Sequence, residues 1–453
     1  MHTTNHKQLK NSSSSARLGF DTLRLENETR RMIFSQERLP QGAVLAVAPM
    51  PHVESVSVGF WLGVGGRHES RRQNGMFHFL EHMLFKGTTR RTARQISEEV
   101  EGVGGYLNAF TAEEMTCYYA RASATHLRSV VDVLTDMLLH ATFPAVEIER
   151  ERGVIQEEIR MYEDQPGQVA QEAATALLFP TNSLGRPLTG TSDGVARMKR
   201  RDLLNYRRKF YHAGNLFVTV AGKTDLAEVR ELIKPLLRRF PSGSRSPYSP
   251  VVGRQTAPRF QLIRKPIEQT HFVMAMRGVS LHDPRRSAFR LMSVILGENM
   301  SSRLFQTVRE EHGLAYSIST GASYYQETGG FYINAGVENS KTEQAIRLTL
   351  QTVRKLARRA PSAKELRRAK EYTCGQIHLS LESTDNQMMW MGEGLTGHDR
   401  VINPEKLIRQ IEAVTPEEVR AAAALLVHNE KLNLAVVSPT AEEESIRAAA
   451  RFE

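Results

Sequence analysis

Two imidazoles and a carboxylate are crowded into the segment His78-Phe79-Leu80-Glu81-His82. On a helix advancing about 100° per residue, His82 falls about 40° from His78 and Glu81 about 60° to its other side, so all three project from one face. Imidazoles so placed can grip one divalent ion. A carboxylate beside them can take a proton from water, which is the arrangement that metal-assisted hydrolysis needs. The flanking Phe77, Phe79, Leu80, Met83, Leu84 and Phe85 make this helix largely buried, a setting in which unpartnered polar groups are costly. A plain polar stripe therefore explains the pattern less well than a metal does.

Tetrahedral catalytic zinc takes a third protein ligand and keeps its fourth position open. Glu151 and Glu158, seven residues apart on a helix predicted through Gly153, fall within about 20° of each other. One of them can ligate the ion while the other orients a ligand. Glu147, Glu149 and Glu157 read instead as a solvated face. A set of two His and one Glu suits zinc ahead of other divalent ions. The two cysteines, Cys117 and Cys374, supply neither a thiolate site nor a disulfide framework and point to a reducing compartment.

The elements that must hold these residues follow from the local pattern. Asn74 reads as the N-cap of the His78 helix and Gly87 as its terminating glycine. A Pro/Ser/Gly-rich stretch at residues 241–258 reads as a linker. It separates a metal-bearing domain, residues 36–240, from a second domain, residues 259–453, and residues 1–35 read as a mobile arm. The halves repeat a pattern. An apolar strand around Val56–Val64 precedes a charged loop and helix, as does one around Thr270–Gly278; the strand around Leu216–Gly222 has its counterpart at Leu434–Ser438. In the second half the segment matching the His78 helix, residues 291–297, has neither His nor Glu. Strands and helices do not alternate steadily, so the expected class is α+β, two similar duplicated domains with helices packed on mostly antiparallel sheets.

Composition sets outer limits. With 453 residues, 40% apolar and 24% charged, the chain is long enough for two or more cored domains and is neither collagen-like nor mostly disordered. No apolar run is long enough to span a membrane. The first residues lack the apolar core of a secretory signal, and Asp21, Glu26 and Glu28 interrupt any basic transit-like stretch. A bacterial-type cytoplasm is expected ahead of a mitochondrial matrix. The net charge of +10 is dispersed over short Arg pairs with no nucleic-acid-binding motif, so no specific nucleic-acid partner is expected.

The inverted motif His78, Glu81, His82, followed by Glu158, resembles the inverzincin signature of the pitrilysin and insulin-degrading-enzyme superfamily. Length and two-half layout are similar to its short-chain branch, which includes mitochondrial processing peptidase and bacterial homologues. The resemblance implies one Zn²⁺ per chain held by His78, His82 and Glu158, with Glu81 as general base and Glu151 in support. It also implies that Asn108, Ala109 and Phe110 meet substrate as an added β-strand. Arg309 and Tyr316 would be the pair that reaches substrate near the metal and steadies an oxyanion. The halves would face each other like a clam shell, and two chains would pair as a homodimer or heterodimer. The activity so implied is endoproteolysis of unfolded peptides or presequences in a closed chamber. A non-catalytic or partner-dependent subunit of the same fold is the alternative, and the filled motif positions favour the enzyme.

Overall fold

The computed structural model describes residues 34–39 and 41–452. Most of the expected arm therefore lies outside the described residues, and at its end Ser35 already opens a strand. Among the described residues eleven strands form two sheets. The first contains β1 (Ser35–Arg38), β2 (Val44–Pro49), β3 (Ser55–Leu62), β4 (Tyr106–Thr111), β5 (Thr116–Ser123) and β6 (Leu216–Gly222) in the order β1-β2-β6-β3-β5-β4. The second contains β7 (Arg259–Arg264), β8 (Gln269–Arg277), β9 (Ala315–Tyr324), β10 (Gly329–Glu338) and β11 (Asn433–Ser438) in the order β7-β11-β8-β10-β9.

Leaving aside β1, the two orders are the same. Each has one parallel pair, β2 with β6 and β7 with β11, and is otherwise antiparallel. The α+β duplication expected from the repeated strands is thus present. β6 and β11 read as continuous apolar runs because they are central and buried on both faces.

Alternation along the strands assigns the layers. In the first sheet Val56, Val58, Phe60 and Leu62 of β3 and Val218 and Val220 of β6 face a core built with helices of the first half. Trp61, Phe217, Ala221, Val44, Ala46 and Ala48 point the other way and meet Met388, Met391 and Leu395, which belong to the second-half helix Thr384–His398. The second sheet repeats this in reverse. Phe272, Met274, Ile333 and Val436 face second-half helices. Val273, Ala275, Tyr332 and Val437 meet Ala170, Ala173, Ala174 and Leu178 of the first-half helix Pro166–Leu178.

Each half therefore lends one helix to the other's sheet. The contact is close enough to need glycine: a Cβ at Gly392 would stand 1.9 Å from the Trp61 ring. A buried charge ties the halves as well. Arg67, 1% exposed, pairs with Glu114 of the β4–β5 turn and with Glu327 of the β9–β10 turn. The Tyr248 ring of the connecting stretch stacks 3.9 Å from its guanidinium. Burial raises the Glu114 carboxyl, and Arg67 opposes that rise.

Candidate functional site

The helix Met76–Leu84 buries Met76, Phe77, Phe79, Leu80, Met83 and Leu84, leaving His78, Glu81 and His82 to project together. Its N-terminus is not capped by Asn74. The N-cap is Gly75 at φ +91°, where a Cβ would lie 2.6 Å from the Thr189 carbonyl oxygen, so no side chain fits. The buried N–H groups of Gly75 and Phe77, free of helical partners, each donate to the Glu69 carboxylate at 2.8 Å. Asn74 donates to the same carboxylate at 3.2 Å. Burial pushes the Glu69 carboxyl up to about 7, against those hydrogen bonds, while a helix N-terminus favours its anionic form.

The second carrier is the helix Ala145–Glu163, which buries Ile148, Glu151, Ile155 and Ile159. Glu147, Glu149 and Glu157 pair with Arg150, Arg152 and Arg160 one turn away, as a solvated face does. Glu158 Oε2 lies 3.5 Å from His78 Nε2 and 3.7 Å from His82 Nε2. These separations are too long for hydrogen bonds. They match the edge of about 3.4 Å that a tetrahedron of ligands makes around zinc with bonds of about 2.1 Å. Ligand atoms of His78, His82 and Glu158 all lie within 4.8 Å of one another, so the donor set fits a zinc ion.

The spacing left Glu151 and Glu158 interchangeable, and the structure separates them. Glu151 Oε2 meets His82 Nδ1 at 3.0 Å and Glu151 Oε1 meets Lys86 Nζ at 2.7 Å. Glu151 thus fixes the imidazole from behind, leaving Nε2 for the ion. Burial alone would raise its carboxyl, but the hydrogen bonds from His82 and Lys86 hold it below the usual range. Burial, with help from the neighbouring His82, pushes His78 down to about 3, so its ring is the neutral ligand form. Burial raises the Glu81 carboxyl while a 2.6 Å hydrogen bond from Thr111 Oγ1 opposes this. A raised carboxyl is a stronger proton acceptor than an ordinary one.

Glu69, Lys86, Thr111 and Tyr162 were missed by motif reading. Tyr162 donates to Glu158 Oε1 at 3.0 Å. Tyr162 stands four residues from Glu158 on one helix, a spacing that puts side chains together, whereas Lys86 lies past the end of the Met76–Leu84 helix and meets Glu151 of the other. Nothing in the sequence marks Glu69 as the cap.

Asn108, Ala109 and Phe110 lie on β4, the edge of the first sheet. Asn108 is exposed, its Oδ1 accepts from the Ala109 N–H at 2.8 Å, and Phe110 packs edge-on against Trp61. Beside the cluster opens a cavity of about 300 Å³, lined by His78, Thr111, Glu158 and Tyr162 and, from the second half, Ser323 and Tyr325. Arg309 and Tyr316 are brought to each other, with the guanidinium 5.9 Å from the ring centre, but not to this cavity. Tyr316 is 74% exposed and lies seven residues along β9 from Ser323, about 23 Å at 3.3 Å per residue.

Residues 44–192 match a family model described as insulinase, peptidase family M16. Residues 197–372 match one described as the peptidase M16 inactive domain. An uncharacterized zinc protease of Streptomyces coelicolor is 35% identical over 90% of each chain. The uncharacterized zinc protease YmxG of Bacillus subtilis is 35% identical over 88% of this chain and 97% of its own. A solved peptidase M16 inactive domain from Pseudomonas fluorescens superimposes with a TM-score of 0.84 at 20% identity, covering 90% of this chain and 98% of its own. A Helicobacter pylori protease gives 0.84 at 18% identity, over 90% and 100%. Among the described residues no helix is long and apolar enough to cross a membrane.

Proposed function

This chain belongs to the insulinase family of peptidases, M16, and on that premise we propose that it is a zinc endopeptidase acting on unfolded peptides or presequences in the cytoplasm of a bacterial-type cell. The observation that carries the reading is the pair of ligand separations, 3.5 and 3.7 Å, with the half-buried Glu81 carboxylate on the same helix face. His78, His82 and Glu158 hold one Zn²⁺ per chain. When bound, the ion polarises the scissile carbonyl and lowers the pKa of water at its open position.

The chain's own groups do the rest. Glu81 takes a proton from the attacking water at its carboxylate and delivers it to the departing amine. Thr111 holds that carboxylate in place, and Glu151 with Lys86 keeps His82 in the tautomer that presents Nε2. The substrate backbone adds to the free edge of β4, along Asn108, Ala109 and Phe110, which demands an extended chain and little sequence. The wall supplied by Ser323 and Tyr325 narrows the cavity, so a stably folded protein is a poor substrate.

Arg309 and Tyr316 favour a dependence on a partner chain. Tyr316 is exposed, Arg309 is half-buried beside it, and neither lines the cavity of their own cluster, so they serve a site only by entering that of a second copy or of a related subunit. The working unit is then a homodimer or heterodimer.

The test is cleavage of unfolded peptides of different lengths by wild type and Glu81→Gln, with bound metal assayed in both. Cleavage by wild type alone, with zinc in both, supports the reading. Zinc without cleavage by wild type moves the chain to the partner-dependent or non-catalytic subunit, and absence of zinc from pure wild type overturns the metal site.

A further inference from the structure

β4, the edge strand offered to substrate, is held at its two ends by different halves of the chain. At its C-terminal end Thr111 bonds Glu81. At its N-terminal end Tyr106 donates its hydroxyl to Asp385 Oδ2 at 3.0 Å, and Asp385 belongs to the second-half helix Thr384–His398.

The surroundings of Asp385 form one row of the sheet. Ser57 of β3 is paired with Arg121 of β5, and Arg121 is paired with Tyr106 of β4. Asp385 touches all three: Ser57 Oγ donates to Oδ1 at 2.5 Å, and Arg121 lies 3.4 Å from Oδ2. Both carboxylate oxygens are thus engaged across three adjacent strands. An acidic residue in a helix's first turn is ordinarily accounted for by that helix's own N–H groups. Here Ser383 already caps the helix, accepting from the Asn386 N–H at 3.1 Å. Asp385 is turned outward onto the sheet instead.

An edge strand has a partner on one side only, so its register is less well fixed than that of a central strand. A slip of one residue would carry every side chain to the opposite face. We propose that Asp385 is a positioning residue through which the metal-free half sets the register of β4 and so readies its free edge for an extended peptide. This rests on the proposed use of that edge by substrate. Because Thr111 is held separately by Glu81, loss of Asp385 loosens peptide binding more than the chemical step.

The experiment compares full-length, zinc-loaded wild type with Asp385→Ala, Asp385→Asn and Tyr106→Phe. Amide hydrogen exchange over residues 106–111 is read against β10 as an internal reference, and KM and kcat are measured on an unfolded peptide. For Asp385→Ala the expectation is exchange about tenfold faster in β4 alone and KM raised about tenfold with kcat within about twofold, from loss of hydrogen bonds to a charged acceptor. Asp385→Asn, which keeps an acceptor oxygen, recovers most of both effects, and Tyr106→Phe reproduces the exchange effect in part.

Unchanged exchange in β4 overturns the proposal, as does a uniform rise that includes β10, or a loss confined to kcat. If wild type cleaves no peptide, exchange in β4 still decides whether Asp385 positions the strand, and it is the peptidase reading that has failed.

Discussion

The helix that follows β3 and its counterpart after β8 have opposite uses in the two halves. In the first half, Met76–Leu84 is nine residues long, begins at a glycine that cannot cap it, and points His78, Glu81 and His82 into one cluster. In the second, Arg286–Gly297 is twelve residues long and buries Phe289, Leu291, Met292, Val294, Ile295 and Leu296. Its one buried polar side chain, Ser293, approaches Thr320 Oγ1 at 3.2 Å. With strand order held constant, the difference shows what a reactive helix demands. Polar groups inside a packed layer need partners assigned from outside the helix: Thr111 serves Glu81, Glu151 serves His82, Tyr162 serves Glu158 and Glu69 serves the helix N-terminus, whereas His78 Nδ1 is buried with no hydrogen-bond partner among the described residues.

The comparison breaks most sharply at Glu81. Glu81→Gln is expected to lower kcat by about 10²- to 10⁴-fold, the usual worth of a positioned general base, while zinc content stays as in wild type; no change on the Ser293 side of the repeat should approach that. Arg67 joins the halves rather than distinguishing them. Its replacement by Ala leaves the half-buried Glu114 without its counter-charge and vacates a buried site, and is expected to destabilise by about 3 kcal/mol, measurable by denaturant unfolding; a loss below about 1 kcal/mol would mean that the pairing is ornamental.

Tyr162→Phe removes only the hydrogen bond that orients Glu158. The expected result is zinc affinity weakened by about 10- to 100-fold, read by competition with a chelator, with little change in melting of the zinc-free protein. The smallest effect belongs to the metal-free helix: Ser293→Ala should cost about 1 kcal/mol and leave zinc affinity unaltered. A change in zinc affinity there would show that the two helices are not as independent as their separate cores imply.

Much of this was legible because the signals are local. Periodicity alone put His78, Glu81 and His82 on one face and paired Glu151 with Glu158, and apolar runs marked β3, β6, β8 and β11. What escaped depends on groups distant in sequence meeting in space. Spacing alone left Glu151 and Glu158 interchangeable and the resemblance chose Glu158; the physical reason, the meeting of Glu151 with His82 Nδ1 and Lys86, is visible only in the structure. The cap of the reactive helix comes from Glu69, across the short 3-10 turn Arg71–Gln73, so Asn74, the nearest residue of capping type, was the natural but mistaken choice. The meeting of Asp385 with Ser57, Arg121 and Tyr106 needed both the strand register and the helix exchange, neither of which composition encodes.

That exchange bears on how the chain is made. During synthesis the first half leaves the ribosome with the face around Trp61, Val44 and Ala46 bare, since the helix that covers it ends at His398. At about 5–20 residues per second, the roughly 150 residues that follow the first half take on the order of 8–30 s to appear. For that interval the nascent chain displays an apolar sheet surface beside the segments that carry His78, His82 and Glu158, a period in which a chaperone's cover matters.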